Sequence, residues 1–260
     1  MEGGKRNMSV IKSAVIAFAM YSKIPMPQFA WEKKDMKYVI LFFPWVGIVI
    51  GAIFFGWANL CVKFQVGTMA YALIAAAIPV MISGGIHVDG FMDTTDAFHS
   101  YQEREKKLEI LKDAHIGAFS VICLAVFGMI YVAAVSEVRQ MKSVALLAAG
   151  FYLSRILSGI AVVSFRCAKQ DGLLYLFSSR AHEKIVKLFL YVQLILCIAV
   201  MLFISPVSGL LLVAGALFTF ACYHHRAYRE LGGITGDTAG YFVVLCEGVI
   251  AVLAAICNYL

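Results

Sequence analysis

Charged residues are scarce in this chain, and their scarcity excludes an ordinary soluble fold. Only 15% of the 260 residues are charged, 62% are apolar and the mean hydropathy is +0.83. A typical soluble domain carries about 25% charged residues. Several apolar runs reach the roughly 20 residues that a helix needs to cross a bilayer. We therefore predict an all-α, polytopic membrane bundle and one domain over residues 1–260.

Two further absences exclude disulfide, zinc and nucleic-acid chemistry. The seven cysteines are odd in number, lie mostly inside apolar runs and form no Cys-x-x-Cys pair. We interpret them as reduced, small packing residues. The net charge of +6 is not organised into a basic stripe interleaved with aromatic residues. The basic residues are therefore expected to report membrane topology rather than a nucleic-acid partner.

Apolar runs predict about seven transmembrane helices after an N-terminal segment at 1–36. This segment holds a short apolar stretch before Pro25 and Pro27, which predicts an interfacial helix that ends ahead of the prolines. The predicted spans cover residues 38–62, 67–84, 116–136, 143–165, 184–204, 207–224 and 239–259. The bundle 37–260 has predicted cytoplasmic loops at 85–115, 166–183 and 225–238. The first of these loops has an apolar side at 99–115, which predicts a surface helix.

The distribution of basic residues predicts the orientation in the membrane. Most of the 22 Lys and Arg residues lie in the N-terminal segment or near the three loops, the exceptions being Lys63, Arg139, Lys142 and Arg155. The positive-inside rule then places the N-terminus and the three loops in the cytoplasm. With seven spans, the C-terminus lies outside. Gly47 and Gly51 form a Gly-x-x-x-Gly pair that serves either internal packing or a homo-oligomer.

A dense group of carboxylates follows the second predicted span. Asp89, Asp93 and Asp96 stand at i, i+4 and i+7, so in a helix they share one stripe. No Lys or Arg lies between Pro79 and Arg104 to neutralise them. Two carboxylates about 6 Å apart repel by roughly 3 kcal/mol at an effective dielectric near 20. Mg²⁺, or Mn²⁺ in its place, would remove that cost, whereas the alternative is a solvated acidic face.

A glycine-rich segment opens the last predicted span. Four glycines between Gly232 and Gly240 surround Asp237, which indicates a backbone that something approaches closely. Backbone N–H groups at Thr235 and Gly236 would open the helix and are candidate phosphate contacts. Asp237 is a candidate ligand for a second metal ion. The alternative is an ordinary helix N-cap.

Two charged residues lie near the middle of predicted spans, and several ionisable residues lie in the loop that precedes the third span. Because a charge inside a bilayer is costly, Glu247 is expected to meet either a metal or a basic partner. Arg155 either pairs with Glu247 or faces a phosphate. In the loop, Asp113 is a candidate metal ligand and either Lys112 or His115 a candidate phosphate contact. A candidate base is His87. For the first three the alternative is a solvated loop, and for His87 a plain hydrogen bond at the turn.

Taken together, these residues predict a cytoplasm-facing, carboxylate-rich site with cations and a glycine-rich backbone. Two metal ions there would bridge a pyrophosphate during an in-line displacement, which indicates transfer of a phosphoryl-type group. The residues alone do not specify donor or acceptor.

The segment 84–96, with sequence GGIHVDGFMDTTD, closely resembles the signature of the cobalamin synthase family, the adenosylcobinamide-GDP ribazoletransferases. Other pieces are similar and occur in the same order across nearly the whole chain. They are Lys23-Ile24-Pro25-Met26-Pro27, Phe43-Pro44-Trp45-Val46-Gly47, residues 108–113 with Gly117, Ser154-Arg155, and residues 232–240 with Glu247.

The resemblance implies a bacterial or archaeal inner-membrane enzyme that needs Mg²⁺. Such enzymes join adenosylcobinamide-GDP to α-ribazole or its 5′-phosphate and release GMP when a ribose hydroxyl attacks the phosphate next to cobinamide. By this resemblance the stripe of three aspartates would hold Mg²⁺ across the pyrophosphate. Asp237 and Glu247 would complete the cage, and Asp113 or His87 would take the hydroxyl proton.

Two other classes compete with this interpretation. A CDP-alcohol phosphotransferase shares the Asp-Gly start and the four-residue aspartate spacing, but its motif expects Ala-Arg where this chain has Met92-Asp93. A cation transporter would use carboxylates inside the membrane. Most carboxylates here are predicted to lie in loops, and only Glu247 lies clearly within a span.

Overall fold

The computed structural model describes residues 2–28, 30–169, 174–177 and 182–259. Within these ranges the fold is helical, and one parallel β-bridge pairs Cys167 with Ile234. The helices are α1 (Glu2–Tyr21), a 3-10 helix (Lys33–Tyr38), α2 (Val39–Lys63), α3 (Thr68–Ser83), α4 (Ile86–His99), α5 (Arg104–Ile110), α6 (Ala118–Glu137), α7 (Met141–Ser164), α8 (Glu183–Ile204), α9 (Pro206–Leu231) and α10 (Gly236–Ile256). Residues 174–177 form one further helical turn.

The long apolar helices make this a multi-pass membrane protein. In the described part of the chain, six helices are long and apolar enough to cross a membrane, namely α2, α6, α7, α8, α9 and α10. The second predicted span corresponds to α3, which has 16 residues and is therefore only about 24 Å long. Because α3 is bent by 93° from α4, a seventh span exists only if this pair counts as one broken span.

Two consecutive glycines make the bend between α3 and α4. Gly84 and Gly85 have φ angles of +68° and +82°, a left-handed conformation that glycine adopts without steric cost. The backbone N–H of Lys23 donates to the Ile82 carbonyl at 2.7 Å, and a Cβ on Gly84 would lie within 2.4 Å of the Lys23 side chain. The segment after α1 therefore packs directly against the bend.

The three predicted loops and the N-terminal segment differ from the observed structure in length and content. The predicted loop 85–115 contains two helices, α4 and α5, and the surface helix expected at 99–115 is present as α5. The loop 225–238 is shorter than predicted, since α9 continues to Leu231. Much of 166–183 lies outside the described residues. The predicted N-terminal helix is present and buries Ile16 and Ala17 in the bundle, and its location at the membrane interface stays a prediction.

The Gly-x-x-x-Gly pair of α2 is used for packing inside the molecule. A Cβ on Gly47 would lie 2.2 Å from the Phe151 carbonyl oxygen, and one on Gly51 would lie 2.4 Å from the Ala148 carbonyl oxygen. Small residues at these positions let α2 and α7 come into backbone contact. Of the two alternatives for this motif, internal packing is the one observed, and a homo-oligomer stays a prediction.

Candidate active site

The aspartate stripe lies on α4, as the i, i+4, i+7 spacing predicts. Asp89 is exposed, while Asp93 and Asp96 are half-buried. This helix packs against the N-terminal turns of α6 and α10, which brings Asp237 to the same place. A Cβ on Gly90 would lie 2.6 Å from the Asp237 carbonyl oxygen and 3.0 Å from its Cα, so the two backbones touch.

We expect Gly90→Ala to separate α4 from α10 and to lower activity by on the order of tenfold or more, because the added methyl group meets backbone atoms that cannot rotate away. Gly56→Ala on α2 is the matched control, since a Cβ there meets nothing within 4 Å. Turnover and thermal stability of both purified variants would be compared. Full activity of Gly90→Ala would show that this close contact is not needed.

Four carboxylates share one electrostatic environment at this contact. Burial, followed by the charges of Asp89, Asp237 and Asp96, raises the pKa of Asp93 to about 6. Among the described residues, no group of three or more His, Cys, Asp or Glu side chains is already arranged to hold a metal ion. Mg²⁺ is commonly bound by one or two carboxylates together with substrate phosphates. The all-oxygen donor set therefore fits a metal that binds with its substrate, rather than a closed protein cage.

Asp96 has a structural partner that the sequence did not reveal. Its two carboxylate oxygens accept hydrogen bonds from the backbone N–H groups of Gly117 and Ser120, at 2.7 and 2.9 Å. Both donors belong to the start of α6, which otherwise has unpaired N–H groups. The side chain thus caps α6 from another helix and fixes α4 against it.

We expect Asp96→Ala to destabilise the protein by about 1–2 kcal/mol, the usual cost of losing a helix cap. Asp96→Asn should lose only part of that stability, since its amide oxygen still accepts one of the two hydrogen bonds while the negative charge is removed. Thermal denaturation in detergent would measure the difference. Undiminished Mg²⁺-dependent turnover of Asp96→Asn would assign this residue to capping alone and remove it from the predicted metal site.

A cavity of about 360 Å³ opens beside the aspartates. Its polar wall includes Asp89 and Asp237 together with Lys112 and Lys169. Its interior is apolar and is lined by residues from α2, α7, the turn 174–177 and the bridge, including Ile40, Phe43, Val162, Phe177 and Ile234. Such a cavity can hold a planar apolar group in its interior while an anionic group stays among the cations and carboxylates.

The glycine-rich segment both caps α10 and lines this cavity. The hydroxyl of Thr235 accepts a hydrogen bond from the Thr238 N–H at 3.2 Å, and the Thr238 hydroxyl accepts one from the Thr235 N–H at 2.9 Å. The capping alternative is therefore observed. Thr235, Gly236 and Asp237 also line the cavity, as their prediction as ligand contacts requires.

The predicted metal role of Glu247 is wrong for this aspartate cluster. Glu247 lies ten residues after Asp237 on α10, which is about 15 Å along the helix axis. Its carboxylate instead accepts a hydrogen bond from the Arg155 guanidinium at 2.5 Å and another from the Ser154 hydroxyl at 3.3 Å. Arg155 and Glu247 are both buried, so the alternative of a structural ion pair is the one observed.

Asp113 and His115 lie outside the cavity. The exposed His115 ring hydrogen-bonds the Asp113 carboxylate at 2.5 Å, and this contact lowers the pKa of Asp113. Neither residue lines the cavity, whereas their neighbour Lys112 does. The solvated-loop alternative therefore describes Asp113 and His115, and the predicted base and phosphate roles lose their geometric support.

His87 occupies the wall between the aspartates and the bundle interior. It is buried, with the ring centroids of Phe43 and Tyr21 at 5.7 and 6.5 Å. It lines the cavity beside the aspartates, as its prediction as a base requires. Sequence reasoning missed Lys169, which donates to the Leu108 carbonyl at 2.6 Å and lines the same cavity. The only sequence signal for Lys169 is its place among the loop cations.

The fold and the site together define a class: a multi-pass helical membrane protein with a carboxylate-rich cavity at one set of helix ends. The comparisons with known proteins then identify the family. A family model described as cobalamin-5-phosphate synthase matches residues 13–256. The chain belongs to this family, and it is an enzyme of cobalamin biosynthesis, a membrane transferase.

The names of similar proteins agree with this family. An adenosylcobinamide-GDP ribazoletransferase of Lachnoclostridium phytofermentans is 44% identical over 240 residues, 92% of each chain. A protein of the same name from Clostridium perfringens is 31% identical over 91% of this chain and 94% of its own. One from Listeria monocytogenes is 30% identical over 88% of this chain and 92% of its own. No solved structure matches this chain.

Proposed function

We propose that this enzyme joins adenosylcobinamide-GDP to α-ribazole, or to α-ribazole 5′-phosphate, in a Mg²⁺-dependent reaction that releases GMP. The observation that carries the proposal is the meeting of α4 and α10, where Asp89, Asp93 and Asp237 come together beside a cavity with a cationic rim and an apolar interior. The relatives that share the family carry the name of this activity.

The site's own residues have distinct tasks in this proposal. Asp89, Asp93 and Asp237 would hold one or two Mg²⁺ ions, and Mn²⁺ would substitute. The metal supplies charge neutralisation at the pyrophosphate. Lys112 and Lys169, which line the same cavity, would contact the phosphates. The apolar interior would receive the benzimidazole ring of α-ribazole.

The acceptor's ribose hydroxyl then attacks the phosphate next to cobinamide. The new P–O bond forms as the bond to the GMP oxygen breaks, and the hydroxyl proton goes to a base. His87 is the proposed base because it lines the cavity, while Asp113 does not. The glycine-rich turn with Thr235 and Gly236 would orient the phosphates through backbone N–H groups.

The direct test is purified protein in detergent with adenosylcobinamide-GDP, Mg²⁺ and either α-ribazole or its 5′-phosphate. We expect one GMP for each corrinoid product formed, and no reaction after chelation of the metal by EDTA. Comparing the rates with α-ribazole and with its 5′-phosphate shows which acceptor the enzyme prefers. Absence of GMP with both acceptors, or full activity in EDTA, would contradict the proposal.

The Mg²⁺ requirement should depend on pH because of Asp93. A carboxyl group with its pKa raised to about 6 is charged above that pH and becomes neutral as pH falls through it. We expect the Mg²⁺ concentration for half-maximal rate to be flat above pH 7 and to rise about tenfold per pH unit below 6, because a neutral Asp93 binds the cation poorly. Equal Mg²⁺ requirements at pH 5 and pH 7.5 would contradict this role.

The membrane location follows the same proposal. The protein would lie in the cell membrane of a bacterium or archaeon, the inner one where there are two. The N-terminus and the active site would face the cytoplasm, and the C-terminus would lie outside. A cysteine-accessibility experiment on both termini in intact cells and inverted vesicles would test the orientation.

The two competing classes receive less support from the structure. A CDP-alcohol phosphotransferase predicts transfer of a phospholipid headgroup, and a radiolabelled headgroup assay should give no product. A cation transporter needs a carboxylate inside the membrane that can bind an ion, and the candidate that the sequence indicates, Glu247, is paired with Arg155. Ion flux in proteoliposomes should equal that of empty liposomes.

A further inference from the structure

The turn between α9 and α10 is tied to the piece of chain that follows α7. The Ile234 N–H donates to the Arg166 carbonyl at 2.9 Å, and the Ala168 N–H donates to the Ile234 carbonyl at 2.8 Å. A Cβ on Gly233 would lie 2.4 Å from the Arg166 carbonyl oxygen, so the two backbones touch. Glycine at this position is what permits such a close approach.

The Arg166 side chain holds the other end of the same turn. Its Nε and one terminal nitrogen of its guanidinium donate to the Gly232 carbonyl at 2.8 and 2.5 Å. Gly232 is the C-cap of α9, where a cation is favourable because it faces the negative end of the helix dipole. The backbone N–H of Arg166 also donates to the Tyr228 hydroxyl at 2.8 Å. One residue therefore bonds α9, the start of the turn and, through its carbonyl, Ile234.

The two pieces of chain joined in this way both lead into the cavity beside the aspartates. Lys169, Thr235 and Asp237 line that cavity, and the charge of Lys169 acts on the Asp237 carboxylate. The Arg166 side chain is exposed and does not line the cavity. Any effect of its guanidinium on the site is therefore transmitted through the turn.

We propose that Arg166 is a positioning residue for the reaction. Its guanidinium fixes Gly232, and thereby the place of Asp237 relative to Lys169, so that both reach the pyrophosphate and its metal ion. This inference rests on the proposed function, which supplies the metal and the donor substrate. A displacement of about 1 Å in such groups can cost on the order of a hundredfold in rate.

Steady-state kinetics of Arg166→Gln tests the positioning role. The variant loses the charged fork and keeps the backbone bonds of residue 166, so the protein should still fold. We expect the KM for adenosylcobinamide-GDP and the Mg²⁺ concentration for half-maximal rate to rise about tenfold. The KM for α-ribazole should stay within about twofold. A merely structural defect would lower the amount of active enzyme, and so kcat, and would change neither constant.

Two further variants serve as rescue and control. Arg166→Lys keeps the charge and can still donate to one carbonyl, so it should recover part of the loss in both constants. Arg229→Gln is the matched control, because Arg229 is an exposed arginine in the last turn of α9 that pairs with the adjacent Glu230. It should leave all the constants within about twofold of wild type.

Amide hydrogen exchange over residues 232–238, measured without substrate in detergent, follows the turn itself. Arg166→Gln should exchange the Ile234 N–H about tenfold faster than wild type, because the turn opens more often once Gly232 is released. Arg229→Gln should exchange at the wild-type rate. This measurement requires neither turnover nor a bound metal.

Three outcomes would overturn the proposal. Faster exchange with unchanged kinetic constants would show that the place of the turn does not matter to the reaction. Raised constants with unchanged exchange would make Arg166 a direct contact for phosphate. No change in either would show that the guanidinium does not hold the turn. Failure of the proposed function has a different signature, because the wild-type enzyme would then release no GMP whatever the exchange result.

Discussion

Asp93→Asn is expected to lower Mg²⁺-dependent GMP release by on the order of a thousandfold while the protein remains folded. Asp93 is the carboxylate at the centre of the cluster, since Asp89, Asp237 and Asp96 all act on it electrostatically. Asparagine keeps the size of the side chain and loses the charge that a cation requires. Because burial and like charges oppose ionisation of Asp93, the substitution also relieves repulsion and should raise thermal stability slightly.

The combination of lost activity and retained or increased stability distinguishes a functional carboxylate from a structural one. Glu109→Gln is the control, because Glu109 is an exposed carboxylate whose partner is the nearby Lys106 on α5. That variant should keep wild-type turnover within about twofold, as expected for a surface ion pair. Turnover of Asp93→Asn within tenfold of wild type would remove the charge of Asp93 from the reaction.

Arg155→Met is expected to destabilise the protein by about 3–5 kcal/mol, the largest stability effect anticipated for a single substitution here. It leaves the buried Glu247 carboxylate without its cationic partner and breaks the bond between α7 and α10. Arg155 also donates to the Phe151 carbonyl within α7. The free energy of unfolding in mixed detergent micelles would measure the loss.

Replacing both members of this pair separates a structural role from a catalytic one. Arg155→Met with Glu247→Met should recover most of the stability, since neither charge is then left buried alone. Glu247→Gln alone should leave the Mg²⁺ concentration for half-maximal rate unchanged, because Glu247 is about 15 Å along α10 from Asp237. A large increase in that concentration would return Glu247 to the metal site.

Local pattern was sufficient to predict much of the helical framework. The long apolar runs predict the spanning helices to within a few residues, because a helix that faces lipid must be apolar along its length. The exception is the end of α9, which continues to Leu231 through a polar stretch. The spacing of Asp89, Asp93 and Asp96 predicts a shared stripe provided that the segment is helical, and α4 meets that condition. The glycine pair marks a break after α3, but the sequence does not reveal that α4 turns by 93° and packs on α10.

The remaining features depend on which distant residues meet. Asp96 caps the start of α6, which lies more than 20 residues away in the sequence. No local sequence pattern predicts a cap that is supplied by another helix. The sequence predicts that Glu247 meets either a metal ion or a basic side chain. The packing of α7 against α10 shows that its partner is Arg155. Lys169 enters the cavity because Ala168 and Arg166 pair with Ile234 next to the glycine-rich turn.

Cation binding that depends on substrate tests the central claim most directly. Free Mn²⁺ would be followed by electron paramagnetic resonance as purified enzyme is titrated with and without adenosylcobinamide-GDP. We expect the donor substrate to tighten Mn²⁺ binding to the wild-type enzyme. It should leave Mn²⁺ binding unchanged in the double variant Asp89→Asn with Asp237→Asn. Identical Mn²⁺ binding curves for wild type and this double variant, with substrate present, would contradict it.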